Sequence, residues 1–211
     1  MPKLRIRIET LSDLVFGLAL SIGSIALVQH IPQSSADLTT DIVQFGFSFL
    51  IIVGIWLGYT RIIGILPVET QGTVFLNLAL LFCVALEPFL YYVLFSTSDP
   101  TFLDFASSAF ALDTGAMMAL LSSMMYLVVR QEEHGGVRRL RPIGLRNFKV
   151  SMVSQIVGAA IFLASTLEVF WVQVPNLGYL RFLLWYVALG TFFASRAFAR
   201  KGAQSIETAK H

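Results

Sequence analysis

Arg7, Glu9, Ser12 and Asp13 fall within one seven-residue stretch, and an apolar run from Leu14 to Gln29 follows at once. Charged and hydroxyl groups at the foot of a membrane-length helix are costly unless they meet partners inside protein. Their chemistry is therefore recognition of other polar groups through hydrogen bonds and ion pairs. Bond-making chemistry has no comparable set. The three histidines, His30, His134 and His211, fall in loops or the tail, and Cys83 has no histidine at its depth. Metalloprotease, nucleophile-elbow and phosphate-loop motifs are all absent. No enzyme activity, metal site or cofactor is expected. A Thr-Val-Gly-Tyr-Gly filter is missing too, since the Gly-Tyr pairs at 58–59 and 178–179 lack its flanks.

The elements that position this cluster are membrane helices. Of 211 residues, 56% are hydrophobic and 13% charged, with a mean hydropathy of +0.74. Soluble domains average about 25% charged residues. Six spans can be drawn, at about 8–31, 41–66, 72–96, 105–130, 147–172 and 178–200. They predict an all-α membrane protein, residues 1–211 forming one six-helix unit with the later spans packed around the first. The first run lacks an Ala-x-Ala-like end and exceeds a signal-peptide core, so cleavage is not expected. The lone cysteine excludes an intrachain disulfide framework.

Basic residues set the orientation. Fourteen of the 15 Lys and Arg fall on one side of this layout, and only Arg181 falls on the other. Both termini are then cytoplasmic. The Arg-rich loop 130–149 reads as topology rather than a nucleic-acid site, since no aromatic platform interleaves it. Arg181 is expected to pair with Glu168. Glu87 and Asp113 fall in the outer half, where they are candidates for a cation-attracting vestibule.

Helical spacing divides the first span into stripes. Leu18, Ile22, Ile25 and Gln29 form a bulky one, facing either lipid or a symmetry axis. Gly17, Ser21, Ser24 and Val28 form a small one beside it, expected to pack against neighbours with Asp13 buried. The second span carries Gly54-x-x-x-Gly58, a helix-contact pattern, around Trp56. Trp56 is either a belt aromatic or a hydrogen-bond donor to Ser12 and Asp13. Asn77 in the third span is expected to bond across helices.

The run Arg7-x-x-x-Leu11-Ser12-Asp13 resembles the signature of the transmembrane protein 175 family: Arg, three residues, then Phe-Ser-Asp. Leu11 stands where the family has Phe. Leu14 to Ile22, Gly54-Ile55-Trp56 and the run from Asn77-Leu78 to Glu87-Pro88-Phe89 are also similar, so the likeness covers about 5–95. Where the family usually has histidine after the second-span Trp, this chain has Tyr59 and Thr60. The family is named for an endolysosomal potassium channel with bacterial and archaeal relatives. The resemblance implies a six-helix subunit of the prokaryotic, single-repeat form, assembling as a homotetramer around a pore lined by the first helix.

On that pattern the constriction falls on Leu18, Ile22 and Ile25, a hydrophobic gate with Ser21 beside it. Arg7, Leu11, Ser12, Asp13, Trp56 and Asn77 become the network holding the first helix. The implied function is a potassium channel in the plasma membrane, a multi-pass protein whose partners are its own copies, the bilayer and K⁺, and which does not bind nucleic acid. The rival is a small proton- or cation-coupled secondary transporter using Asp13 or Asp113. A scaffold without conduction is a second rival.

Overall fold

A computed structural model describes residues 2–29, 32–66, 70–97, 99–134, 142–175 and 178–208, with side chains over 6–25, 32–66, 70–97, 99–134, 142, 144–175 and 178–194. Six helices follow in order: α1 (Pro2–Gln29), α2 (Ser35–Ile63), α3 (Gln71–Ser96), α4 (Pro100–His134), α5 (Pro142–Ala164) and α6 (Leu180–Thr208). Five carry stretches long and apolar enough to span a membrane; in α6 the described apolar part is Leu180–Ala194.

Local chemistry explains several boundaries. Ser34 caps α2 by accepting from the Asp37 amide at 3.1 Å, and Thr70 caps α3 by accepting from the Thr73 amide at 3.3 Å. The fifth helix stops at Ala164, short of the expected 172. Ser165 and Thr166 turn their hydroxyls onto the Phe162 and Leu163 carbonyls. The Leu167 amide then bonds the Ala164 carbonyl, and the chain leaves the helix. A 3-10 turn, Glu168–Phe170, and a small antiparallel pair, β1 (Gln173–Val174) with β2 (Gly178–Tyr179), lead into α6. Gly178 has φ +78°, a left-handed conformation that glycine adopts at little cost.

The centre of the bundle is α4, not α1. It packs on α2, α3 and α5, and its buried face includes Phe110, Met117, Met118, Leu121 and Met124. Methionines are unbranched and adapt to irregular gaps between neighbouring helices. By contrast α1 lies at the edge, against α2 and α3. Its buried face is Ser12, Phe16, Ala19 and Gly23, at helical spacing. The glycine pattern in α2 does mark a contact: a Cβ at Gly54 would meet the Phe192 ring of α6 at 2.6 Å.

Among the described residues Arg7, Arg61, Arg130, Arg146 and Lys149 gather at one end of the helices and Arg181 lies at the other. Lys3, Arg5, Val28, Gln29, Arg138, Arg139, Arg141, Arg196, Arg200, Lys201 and Lys210 lie outside the described side chains.

Candidate pore helix and its anchor

The cluster opening α1 is tied to α2 by two side-chain bonds. Ser12 is fully buried, with Oγ 2.6 Å from Tyr59 Oη. Its own hydroxyl also reaches the Ile8 carbonyl at 2.8 Å. Satisfying both bonds at once makes Tyr59 the donor to Ser12 and Ser12 the donor to Ile8. One turn further along α1, the Phe16 ring packs against Tyr59 with centroids 5.7 Å apart. Asp13, on the neighbouring face, accepts from Trp56 Nε1 at 3.1 Å. Trp56 is thus the hydrogen-bond donor rather than only a belt aromatic. Ser12 and Asp13 are adjacent on α1, and Trp56 and Tyr59 are three apart on α2, so one side of α2 bonds two neighbouring faces of α1.

The rest of the expected network is looser. Asn77 is buried on α3, but its Oδ1 has no partner among the described residues, so the expected bond across helices is not formed through that atom. Arg7 is exposed at the start of α1. Leu11 is exposed as well and belongs to the bulky stripe instead of to the anchor.

That stripe is uncovered within the chain. Leu18, Ile22 and Ile25 are 58%, 46% and 55% exposed, and Leu11 and Leu14 extend the same surface. Positions 11, 14, 18, 22 and 25 are spaced by three or four residues and so line one face of α1. The small stripe is uncovered too, which corrects the expected packing face. A Cβ at Gly17 would meet nothing within 4 Å. Ser21 and Ser24 donate to carbonyls of their own helix, Gly17 and Ser21, both at 2.8 Å. Asp13 is exposed rather than buried. The physical reason is rotation: the seat against α2 and α3 is taken by Ser12, Phe16 and Ala19, about 140° away at 100° per residue.

Glu87 and Asp113 do not form an open vestibule. Glu87 is fully buried and accepts from Ser48 Oγ, at 2.8 and 3.1 Å to its two oxygens. Asp113 is buried on α4, with Oδ2 unpartnered among the described residues. The Ser48–Glu87 contact joins α2 to α3. Each carboxyl falls on its helix's buried face because the face is set by its apolar neighbours, such as Leu80, Val84 and Leu94 on α3.

Arg181 was expected to pair with Glu168 and instead holds Asp104, at 2.6 Å. It is completely buried. Its guanidinium also donates to the Ser107 and Ser108 hydroxyls and to the Ser165 and Thr166 carbonyls. Trp171 lies under it, 4.7 Å from ring centroid to Cζ, and stacks on Tyr179. One side chain thus ties the start of α4, the end of α5 and the start of α6. The available signal was the lone base on its side of the membrane; the choice of Asp104 needed the fold.

Residues 7–88 match the family described as endosomal/lysosomal potassium channel TMEM175. That interval begins at the motif arginine and includes Ser12, Asp13, Trp56, Tyr59 and Asn77. Over these residues the chain is similar to the TMEM175 family. In three dimensions it is similar to the potassium channel MtTMEM175, solved as a variant in complex with a nanobody–MBP fusion. The TM-score is 0.57 at 18% identity, over 96% of this chain and 93% of that one. The likeness in fold therefore continues through α4, α5 and α6, beyond the TMEM175 signature. No curated protein matches the chain. The likeness is to a channel family over residues 7–88 and to a channel's fold over nearly the whole chain, and the apolar helices make the chain a multi-pass membrane protein.

Proposed function

We propose that the chain is one subunit of a homotetrameric, potassium-permeable channel of the plasma membrane. Four copies of α1 line its pore, with both termini in the cytoplasm. The observation that carries this reading is the exposed stripe of Leu18, Ile22 and Ile25, on a helix whose opposite face is anchored to α2. A row of large apolar side chains left open beside a fixed anchor suits a surface that meets its own copies about an axis. The TMEM175 signature and the channel fold support the choice of an axis over lipid.

Three stacked apolar rings act by excluding water. A narrow apolar constriction dewets, so a small change of radius switches conduction. K⁺ passes more readily than Na⁺ because it releases its hydration water at lower cost. Ser21 adds an oxygen at the same depth. Its hydrogen is occupied by the Gly17 carbonyl, which leaves the lone pairs of Oγ open to an ion. K⁺ is the permeant species, and no resident cofactor has a part in this mechanism. Ser12, Asp13, Trp56 and Tyr59 hold the helix and leave ion choice to the rings.

The test is passive ion flux from liposomes containing the purified protein, under K⁺ and then Na⁺ gradients. Passive flux favouring K⁺ is expected. An assembled tetramer passing neither ion would overturn the reading. So would saturable, proton-coupled flux abolished by neutralising Asp13 or Asp113, which is the signature of a transporter.

A further inference from the structure

Where α2 ends and α5 begins, a cavity of about 210 Å³ opens beside α4. Its polar lining is Arg61, Asn147 and Ser151, its floor Met125 and Phe148, and Gly58 leaves it room. Arg61 is exposed. The two ion pairs among the described residues, Lys149 with Glu133 and Arg181 with Asp104, do not involve it. Asn147 and Ser151 lie one turn apart on α5. Gln155, one turn deeper on the same face, is buried with Oε1 unpartnered. The first turn of α5 adds the positive end of a helix dipole.

The site also lies at a boundary. Arg61, Arg146 and Lys149 surround its level, and the exposed apolar residues Val150, Val153 and Val157 of α5 begin just beyond it. That is the depth at which phospholipid headgroups lie. A guanidinium, an amide, a hydroxyl and a helix N-terminus around one cavity are complementary to a phosphate group.

We propose that this cavity binds the phosphate headgroup of an anionic phospholipid from the leaflet at the basic end of the bundle. Arg61 supplies the charge, and Asn147 and Ser151 supply directional hydrogen bonds. A free phosphate shares this chemistry but lacks the acyl chains that hold a lipid at this depth.

Native mass spectrometry of the detergent-purified protein with phosphatidylglycerol, phosphatidylcholine or inorganic phosphate tests the assignment. Phosphatidylglycerol is expected to be retained in preference to phosphatidylcholine. Arg61→Gln should lower its retention about tenfold, the worth of one charge-assisted hydrogen bond. Ser151→Leu should lower it by filling the cavity with the charge intact, and decides the matter if Arg61→Gln does not fold. Equal retention of the two lipids would overturn the proposal, as would full retention in Arg61→Gln and Ser151→Leu. Displacement of the lipid by inorganic phosphate at equal concentration would overturn the lipid as the source. The readout is binding, so it stands or falls separately from conduction.

Discussion

Tyr59 Oη lies 2.6 Å from Ser12 Oγ, across the contact between α1 and α2. In this chain tyrosine stands in the region where the TMEM175 pattern usually has histidine. The phenol keeps a donor facing the motif serine and adds a ring that packs on Phe16.

Tyr59→Phe removes that bond and retains the ring. A net loss of about 1 kcal/mol is expected, as for one buried neutral hydrogen bond. Ser12→Ala should cost a similar amount, and the double variant little more than either, since both remove the same interaction. Thermal unfolding of the purified protein in detergent checks this; additive losses would separate the two residues.

Leu18→Ala and Ile22→Ala each shorten a side chain on the exposed seam. Under the proposed pore, both raise K⁺ conductance and bring Na⁺ flux closer to it, because a wider ring dewets less readily. Liposome flux or single-channel recording measures the change. Unchanged currents in both variants would remove these residues from the constriction.

Asp13→Ala leaves Trp56 Nε1 without its acceptor and loosens α1 against α2. The expected result is a smaller tetramer fraction after purification, with the K⁺ preference of the remaining tetramers intact. Size-exclusion chromatography with light scattering reads the first, and flux the second. A well-assembled variant with altered ion choice would place Asp13 in the conduction path.

Arg181→Met cuts loose six hydrogen-bonding groups on five residues at the junction of α4, α5 and α6. Breaking a buried charged network costs about 3–5 kcal/mol, and the exposure of Asp104 places this case at the lower end, near 3 kcal/mol. Arg181→Lys should recover only part of it, since an ammonium cannot reach the Asp104 carboxylate and two backbone carbonyls in one plane. Folded yield and thermal stability check both. A stable Arg181→Met protein would show that the aromatic packing of Trp171 and Trp185 suffices.

Hydropathy, basic-residue asymmetry and the motif at 7–13 were enough to read from the sequence a six-helix membrane protein, the TMEM175 resemblance and the bulky stripe of α1. These are properties of composition and helical period, and each is local. The depth of Trp56 beside Asp13 was legible for the same reason, while its donor role, left open against that of a belt aromatic, was decided by the fold.

Tertiary structure decided which face of each helix turns inward. A rotation of about 140° separates the small stripe of Gly17, Ser21 and Ser24 from the seat filled by Ser12, Phe16 and Ala19, and no local signal chooses between them. The same uncertainty moved Glu87 and Asp113 from an imagined mouth to the interior, and gave Arg181 to Asp104 in place of Glu168. Sequence spacing sets the depth of a residue along a membrane helix. Its neighbour across the bundle depends on how six helices share one core, and that core is built around α4.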